Sequence, residues 1–202
     1  ISLGLVGSEM CIRDRLTTVA YQIEGEEPLY ALEGSVPIAG AAVQWLRDNL
    51  NIITSSDQIE SLAMGEKDNG DVYFVPAFSG LFSPHWDETA RGALFGLTRF
   101  SNKSHIARSV LESVAFQSFE LLQSMEKDLD IEFQTLKVDG GMVSNNLLMQ
   151  FQSDILNKKI ISQKINEITA LGAGVASFIF AENLKIENVS DFISTSETWN
   201  PN

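Results

Sequence analysis

Alternating strand-like and helix-like segments predict an α/β layered domain for this 202-residue chain. Three observations carry that prediction: short β-rich runs, apolar stripes at helical spacing between them, and a Gly-Gly pair where a strand gives way to a helix. From Leu16 the runs "LTTVAYQI" and "PLYALEG" read as strands joined by a turn at "EGEEP". "IAGAAVQWLRDNL" follows, with Ile38, Ala42, Trp45 and Leu46 at helical spacing. The polar stretch from Ser55 to Asp71 holds a short helix. "VYFVPAF" is an apolar run stopped by Pro76, predicting a buried strand that ends in a loop. The loop "SGLFSPHWDETARG" leads into "ALFGL". A long helix is expected from Ser104 to about Asp128, with Ser104 as N-cap and Ile106, Val110, Val114, Leu121 and Met125 inward.

The last third repeats the alternation. "FQTLKVDGG" is a strand that turns Leu136 and Val138 to the core, and "NNLLMQFQSDIL" a helix with Leu148, Phe151 and Ile155 inward. "KKIISQKI" is another strand. "EITALGAGVASFIFAEN" is a helix whose Ala, Gly and Ser content allows close approach to a neighbour. The first fifteen residues, "ISLGLVGSEMCIRDR", show neither period and resemble translated sequencing-adapter peptide; residues 1–15 are expected to be a non-native leader, a frayed N-terminus being the alternative.

Composition excludes several classes. Hydrophobic residues at 44% and charged residues at 20% describe a globular protein, with no apolar run near the ~20 residues that span a bilayer. The net charge of −13 argues against nucleic acid, which is bound through clustered Lys and Arg. It leaves room for a small phosphorylated ligand, held by backbone N–H groups, helix N-termini and metal ions. Cys11 is the one cysteine, so no intramolecular disulfide or cysteine-built zinc site can form, and a reducing cytoplasm fits.

The Gly140-Gly141 pair sits at the carboxyl edge of the predicted sheet, where open α/β sheets place ligands. Glycine there permits positive φ and lets a ligand touch the main chain. Asn145 and Asn146 open the next helix, where they can cap free N–H groups or reach a ligand. Asp139 could orient water around a magnesium ion or cap the turn. Neither a Rossmann fingerprint nor a Walker loop is present, since the third glycine and the Gly-Lys-Ser/Thr are missing. The residues alone leave a tight turn and a ligand approach both open.

Five blocks then fall in order: "YALEGSVPIAGAAVQWLRD", "VYFVPAFSGLFSPHWDETARGALFGLTR", "HIARSVLESVAFQ", "VDGGMVSNNLLMQFQSDIL" and "EITALGAGVASF". Together they resemble the C-terminal half of the glycerol kinase family, part of the carbohydrate-kinase group of actin-like ATPases. Gly92 to Glu112 resembles that group's C-terminal signature. The resemblance implies a ribonuclease H-like domain with a mixed sheet flanked by helices, the second of a two-domain kinase, running from residue 16 to 202 and truncated at both ends.

It further implies that Gly40, Gln44, Gly141 and Asn145 contact ATP or ADP, the glycines as bare backbone and the amides as hydrogen-bonding groups. The family's phosphate loops, catalytic aspartate and glycerol-binding residues lie upstream of the matched segment. No catalytic or metal-binding residue is therefore expected in this chain, and Mg2+ would bridge the phosphates of ATP. Glycerol would be held through the other domain, with a cytoplasmic homo-oligomer as the full-length state. His85 stands where the family usually has Tyr and is expected to be a surface or packing histidine. Trp86, Asp87 and Arg91 are expected to form a structural cluster, His105 to begin a helix, and Thr169 to Gly174 to pack behind the adenine or simply in the core. Two alternatives stay open: a kinase of another polyol or sugar, and a catalytically silent actin-like interaction module.

Overall fold

The computed structural model describes residues 16–163, 168–182 and 195–202. Residues 1–15, with Cys11 and the expected leader, lie outside them. Strand β1 (Leu16–Tyr21) pairs antiparallel with β2 (Leu29–Glu33), Thr17 opposite Leu32 and Val19 opposite Tyr30. Helices α1 (Gly40–Asp48) and α2 (Gln58–Ala63) follow. Strand β3 (Tyr73–Val75) pairs antiparallel with β4 (Ala93–Phe95). Helix α3 (Lys103–Leu129) leads to β5 (Thr135–Val138), a 3-10 turn (Gly141–Ser144), α4 (Asn146–Leu156), β6 (Lys159–Gln163), α5 (Ile168–Ala181) and β7 (Thr195–Trp199).

In the last sheet, β5 and β6 run parallel around α4 and β7 adds antiparallel on the far side of β6, so this sheet is mixed as expected. Elsewhere the described strands form separate two-stranded sheets. The expectation of a buried strand at "VYFVPAF" is corrected accordingly. Val72, Phe74, Pro76 and Ala77 of the run are buried, but strand β3 itself has three residues, of which Phe74 is buried and Tyr73 exposed, and Pro76 removes the next ladder donor. One covered face explains that alternation.

Helix α3 is the centre of the molecule. Ala107, Val110, Leu111, Val114 and Ala115 are buried around it, joined in one core by Ala42, Val43 and Leu46 of α1, Ile59 and Ala63 of α2, Phe74 of β3, and Leu148 and Met149 of α4. Trp45 stacks on Phe74 with ring centroids 5.6 Å apart, and Phe78 closes against both rings. The Gln117 amide donates to the Ile38 carbonyl (2.9 Å), fixing the approach of the chain to α1.

The N-cap of α3 is Asn102, not Ser104. Its Oδ1 accepts the N–H groups of Ser104 (2.8 Å) and His105 (3.3 Å), while its own N–H donates to His105 Nδ1 (3.1 Å). This is a capping box with histidine where Glu or Gln is usual, and it places the proton of the neutral ring on Nε2. His105 is thus a helix-start residue, as expected. Ser104 is buried as the second residue of the helix.

The buried face of α4 is wider than its apolar stripe. Leu148 is buried, but Met149, Gln152, Ser153 and Leu156 accompany it, with Phe151 and Ile155 on the flanks. Two neighbours explain this: α3 covers one side and the β6–β7 edge the other, where the Ser153 hydroxyl reaches the carbonyls of Lys158 (2.8 Å) and Trp199 (3.2 Å). In α5 a side chain at Gly172 or Gly174 would meet nothing, and Val175 is the buried residue of the helix among those described. Close packing through its small residues is not what the described residues show; such a composition permits approach without compelling it.

One electrostatic contact holds the end of α3 to β6. Lys158 Nζ lies 2.7 Å from Glu126 Oε1 with its side chain only 8% exposed, and the same oxygen accepts the Phe133 N–H (2.8 Å). The hydrogen bond from Lys158, outweighing partial burial, holds the Glu126 carboxyl below the usual range, with the Phe133 N–H adding to it. A carboxyl whose folded pKa is depressed stabilises the fold above its unfolded pKa of about 4.3 and loses that contribution as pH falls toward the folded value. Urea midpoints of the chain and its Glu126→Gln variant are therefore expected to differ most near neutral pH and to converge on acidification. A pH-independent gap would contradict this pairing.

Candidate functional site

A cavity of about 610 Å³ opens where α1, α2 and the 3-10 turn meet. Helix α1 contributes Gly40, Val43 and Gln44 to its wall, the α2 region Asp57, Ile59 and Glu60, and the turn Gly141, Met142, Ser144 and Asn145. All four residues implied by the resemblance therefore meet at one cavity, although about a hundred residues separate their two segments.

Local structure explains each position. Gly140 has φ +89°, a conformation other residues rarely adopt, and it turns the chain from β5 into the 3-10 segment. At Gly141 a side chain would project into open space, so no packing within the chain calls for glycine there. Gly40 starts α1, and an added Cβ would rest 3.7 Å from Met142 Sδ, an ordinary contact. Tight helix packing is therefore not the reason for glycine at 40. Ser144 Oγ donates to the Gly141 carbonyl (3.0 Å) and staples the turn.

Asn145 is the N-cap of α4 and is 7% exposed. Its Oδ1 accepts the Leu148 N–H (2.8 Å), which leaves the amide NH2 as the group it can offer to a ligand. Gln44, by contrast, is exposed on α1 and keeps both ends of its amide available. The cavity wall carries two carboxyl groups, Asp57 and Glu60, and no Lys or Arg. The Ser55 hydroxyl is the main cause holding the Asp57 carboxyl below the usual range. Glu60 Oε1 accepts the Leu147 N–H (2.8 Å). These acidic residues went unread in the sequence, where the Ser55–Asp71 stretch shows only polarity.

Other residues singled out in the sequence fall elsewhere. His85 is exposed, and its Nε2 lies 3.2 Å from Glu120 at a separate cavity of about 360 Å³. Trp86 packs its ring near Phe82, Asp87 accepts from Thr89 and Ala90, and Arg91 donates to the carbonyls of Glu88 and Ala90. These bonds lie within one loop, where the Thr89 hydroxyl is the main cause holding the Asp87 carboxyl below the usual range and the Arg91 charge adds to it. Asp139 is exposed at the end of β5. None of Thr169 to Gly174 lines the 610 Å³ cavity, and apart from the half-buried Leu171 they are exposed rather than packed in the core. Among the described residues no three His, Cys, Asp or Glu side chains converge as a metal site.

Residues 3–180 match the model of the FGGY family of carbohydrate kinases, C-terminal domain. The chain belongs to that family. Its sequence is 61% identical over 162 residues to glycerol kinase of Brucella anthropi, covering 80% of this chain and 32% of that protein. Glycerol kinase of Methylorubrum populi is 51% identical over 187 residues, 92% of this chain and 37% of that protein. The FGGY domain superposes on a crystal structure of Plasmodium falciparum glycerol kinase with ADP at a TM-score of 0.85 and 36% identity, covering 93% of this chain and 38% of that one. A ligand-bound xylulose kinase from Lactobacillus acidophilus shares the fold at a TM-score of 0.78 and 22% identity. The chain thus spans about a third of the length of these relatives, between 32% and 38%. The actin-like kinase fold implied by the five sequence blocks stands.

Proposed function

We propose that this FGGY domain is the nucleotide-binding C-terminal part of an ATP:glycerol phosphotransferase, and that the 610 Å³ cavity takes the nucleoside end of ATP. The convergence of Gly40, Gln44, Gly141 and Asn145 on one cavity carries the nucleotide reading. The Plasmodium falciparum relative, whose structure holds ADP, supports it. Glycerol as acceptor rests on the identity to the Brucella anthropi and Methylorubrum populi enzymes.

The chemistry of the wall fits an uncharged base and ribose. Gly40 and Gly141 let flat rings lie against backbone, Asn145 offers an amide donor, and the Gln44 amide can orient a polar edge. Carboxylates without cations suit exocyclic amines and hydroxyls and do not suit phosphate, which lies toward the rim. Mg2+ would be carried mainly by the phosphates, as this small cation usually is, since the described residues form no cage for it. A catalytic carboxylate, which phosphoryl transfer to an alcohol requires as proton acceptor, would come from the part of the kinase preceding this domain.

Grafting tests whether the domain serves as the nucleotide-binding half of a glycerol kinase. The chain alone is expected to form no glycerol phosphate above background. Replacing the matching segment of Brucella anthropi glycerol kinase by residues 16–202 is expected to give a chimera that phosphorylates glycerol and leaves xylulose and gluconate untouched. A folded chimera that is inert would overturn the reading of this domain as the nucleotide-binding part of a glycerol kinase.

A further inference from the structure

The first turn of a helix leaves backbone N–H groups without intrahelical partners. In α4 two of these are satisfied by side chains from different parts of the chain. Asn145, the local cap, takes the Leu148 N–H, and Glu60, 87 residues away on α2, takes the Leu147 N–H at 2.8 Å. Glu60 is half-buried and lines the same cavity as Asn145 and Gly141. An anionic acceptor at a helix N-terminus forms a strong hydrogen bond, reinforced by the helix dipole.

We infer that Glu60 is a positioning residue of the nucleotide site: by latching α2 to the first turn of α4, it fixes the Asn145 amide and the Gly141 backbone in the cavity wall. This rests on the nucleotide reading above. The bond to Leu147 gives Glu60 a role distinct from any contact its carboxylate makes with the ligand. Glu60 Oε1 accepts the Leu147 N–H, which gives Glu60 a path to the ligand through Asn145, two residues before Leu147 and bonded to Leu148. The latch also places a negative charge at the helix end that would otherwise attract phosphate, which orients the nucleotide with its base inward.

Three variants distinguish reach from charge. Glu60→Asp keeps the charge and is one methylene too short; Glu60→Gln keeps the reach and an acceptor oxygen; Glu60→Ala removes both. ADP titration followed by NMR, with hydrogen exchange at the Leu147 amide, reads each. Loss of reach in Glu60→Asp and Glu60→Ala is expected to weaken ADP binding about 5- to 20-fold and to speed exchange at Leu147 by a similar factor. Glu60→Gln is expected to recover most of both. Should Glu60→Ala fail to fold, the Asp and Gln pair still decides the matter.

Normal binding in Glu60→Asp with weak binding in Glu60→Gln would overturn the proposal in favour of a charge acting on the ligand itself. Faster Leu147 exchange with unchanged ADP affinity would reduce Glu60 to a purely structural latch. A parent chain that shows no response to ADP would overturn the nucleotide reading, and the positioning role with it.

Discussion

Leu148→Ala is expected to destabilise the domain by about 3–4 kcal/mol, the cost of a fully buried leucine plus the cavity it leaves. Leu148 is 1% exposed and joins α4 to Leu111 and its neighbours on α3 in the main core. The core it joins draws on α1, α2, α3 and α4 and on β3, β6 and β7, so the gap would open inside a core shared by many elements. The urea midpoint should fall with little change in the slope of the transition. Phe180→Ala is the matched control: Phe180 is 88% exposed, and its loss should stay within about 0.5 kcal/mol. A cost below about 1 kcal/mol for Leu148→Ala would mean that α4 is not docked on α3 as described.

Asn145→Asp is expected to lower ADP affinity about 30-fold or more while leaving the fold stable to within about 1 kcal/mol. Aspartate caps helices as well as asparagine does, so the bond to the Leu148 N–H survives. What is lost is the NH2 donor, and what is gained is a third carboxylate beside Asp57 and Glu60. Both changes act against a nucleotide whose charge is already negative. Thermal melting and ADP titration on the same sample separate the two effects. Unchanged affinity in a folded Asn145→Asp protein would remove Asn145 from the site.

The long helix was legible because its apolar stripe repeats over many turns, which only a helix accommodates. Its cap was misplaced by two residues because Asn102 and Ser104 are both competent caps, and the deciding contact comes from His105, outside the usual Glu or Gln signature. Strand β7 went unread: "TSETW" is short and largely polar, and its place is fixed by pairing with β6 rather than by its own pattern. The turn of α4 was judged from apolar residues alone, whereas its buried face includes Gln152 and Ser153, the latter turned inward onto the carbonyls of Lys158 and Trp199.

The site divides in the same way. Gly140 and Gly141 raised the question of a ligand from sequence, yet nothing in their spacing connected them to Gly40 and Gln44. That link came through resemblance, and the fold brings the two segments to one cavity. Glu60 had no such signal, since its bond to Leu147 joins residues 87 apart and depends on how two helices dock.

The most direct test of the nucleotide cavity is an amide-resolved NMR titration of the chain with ADP. The expected result is saturable shifts concentrated at Gly40, Gln44, Gly141 and Asn145, with xylulose and glycerol alone producing none there. Saturable shifts centred elsewhere, on the loop of His85 and Glu120 for instance, would contradict it, as would a spectrum that ADP leaves unchanged.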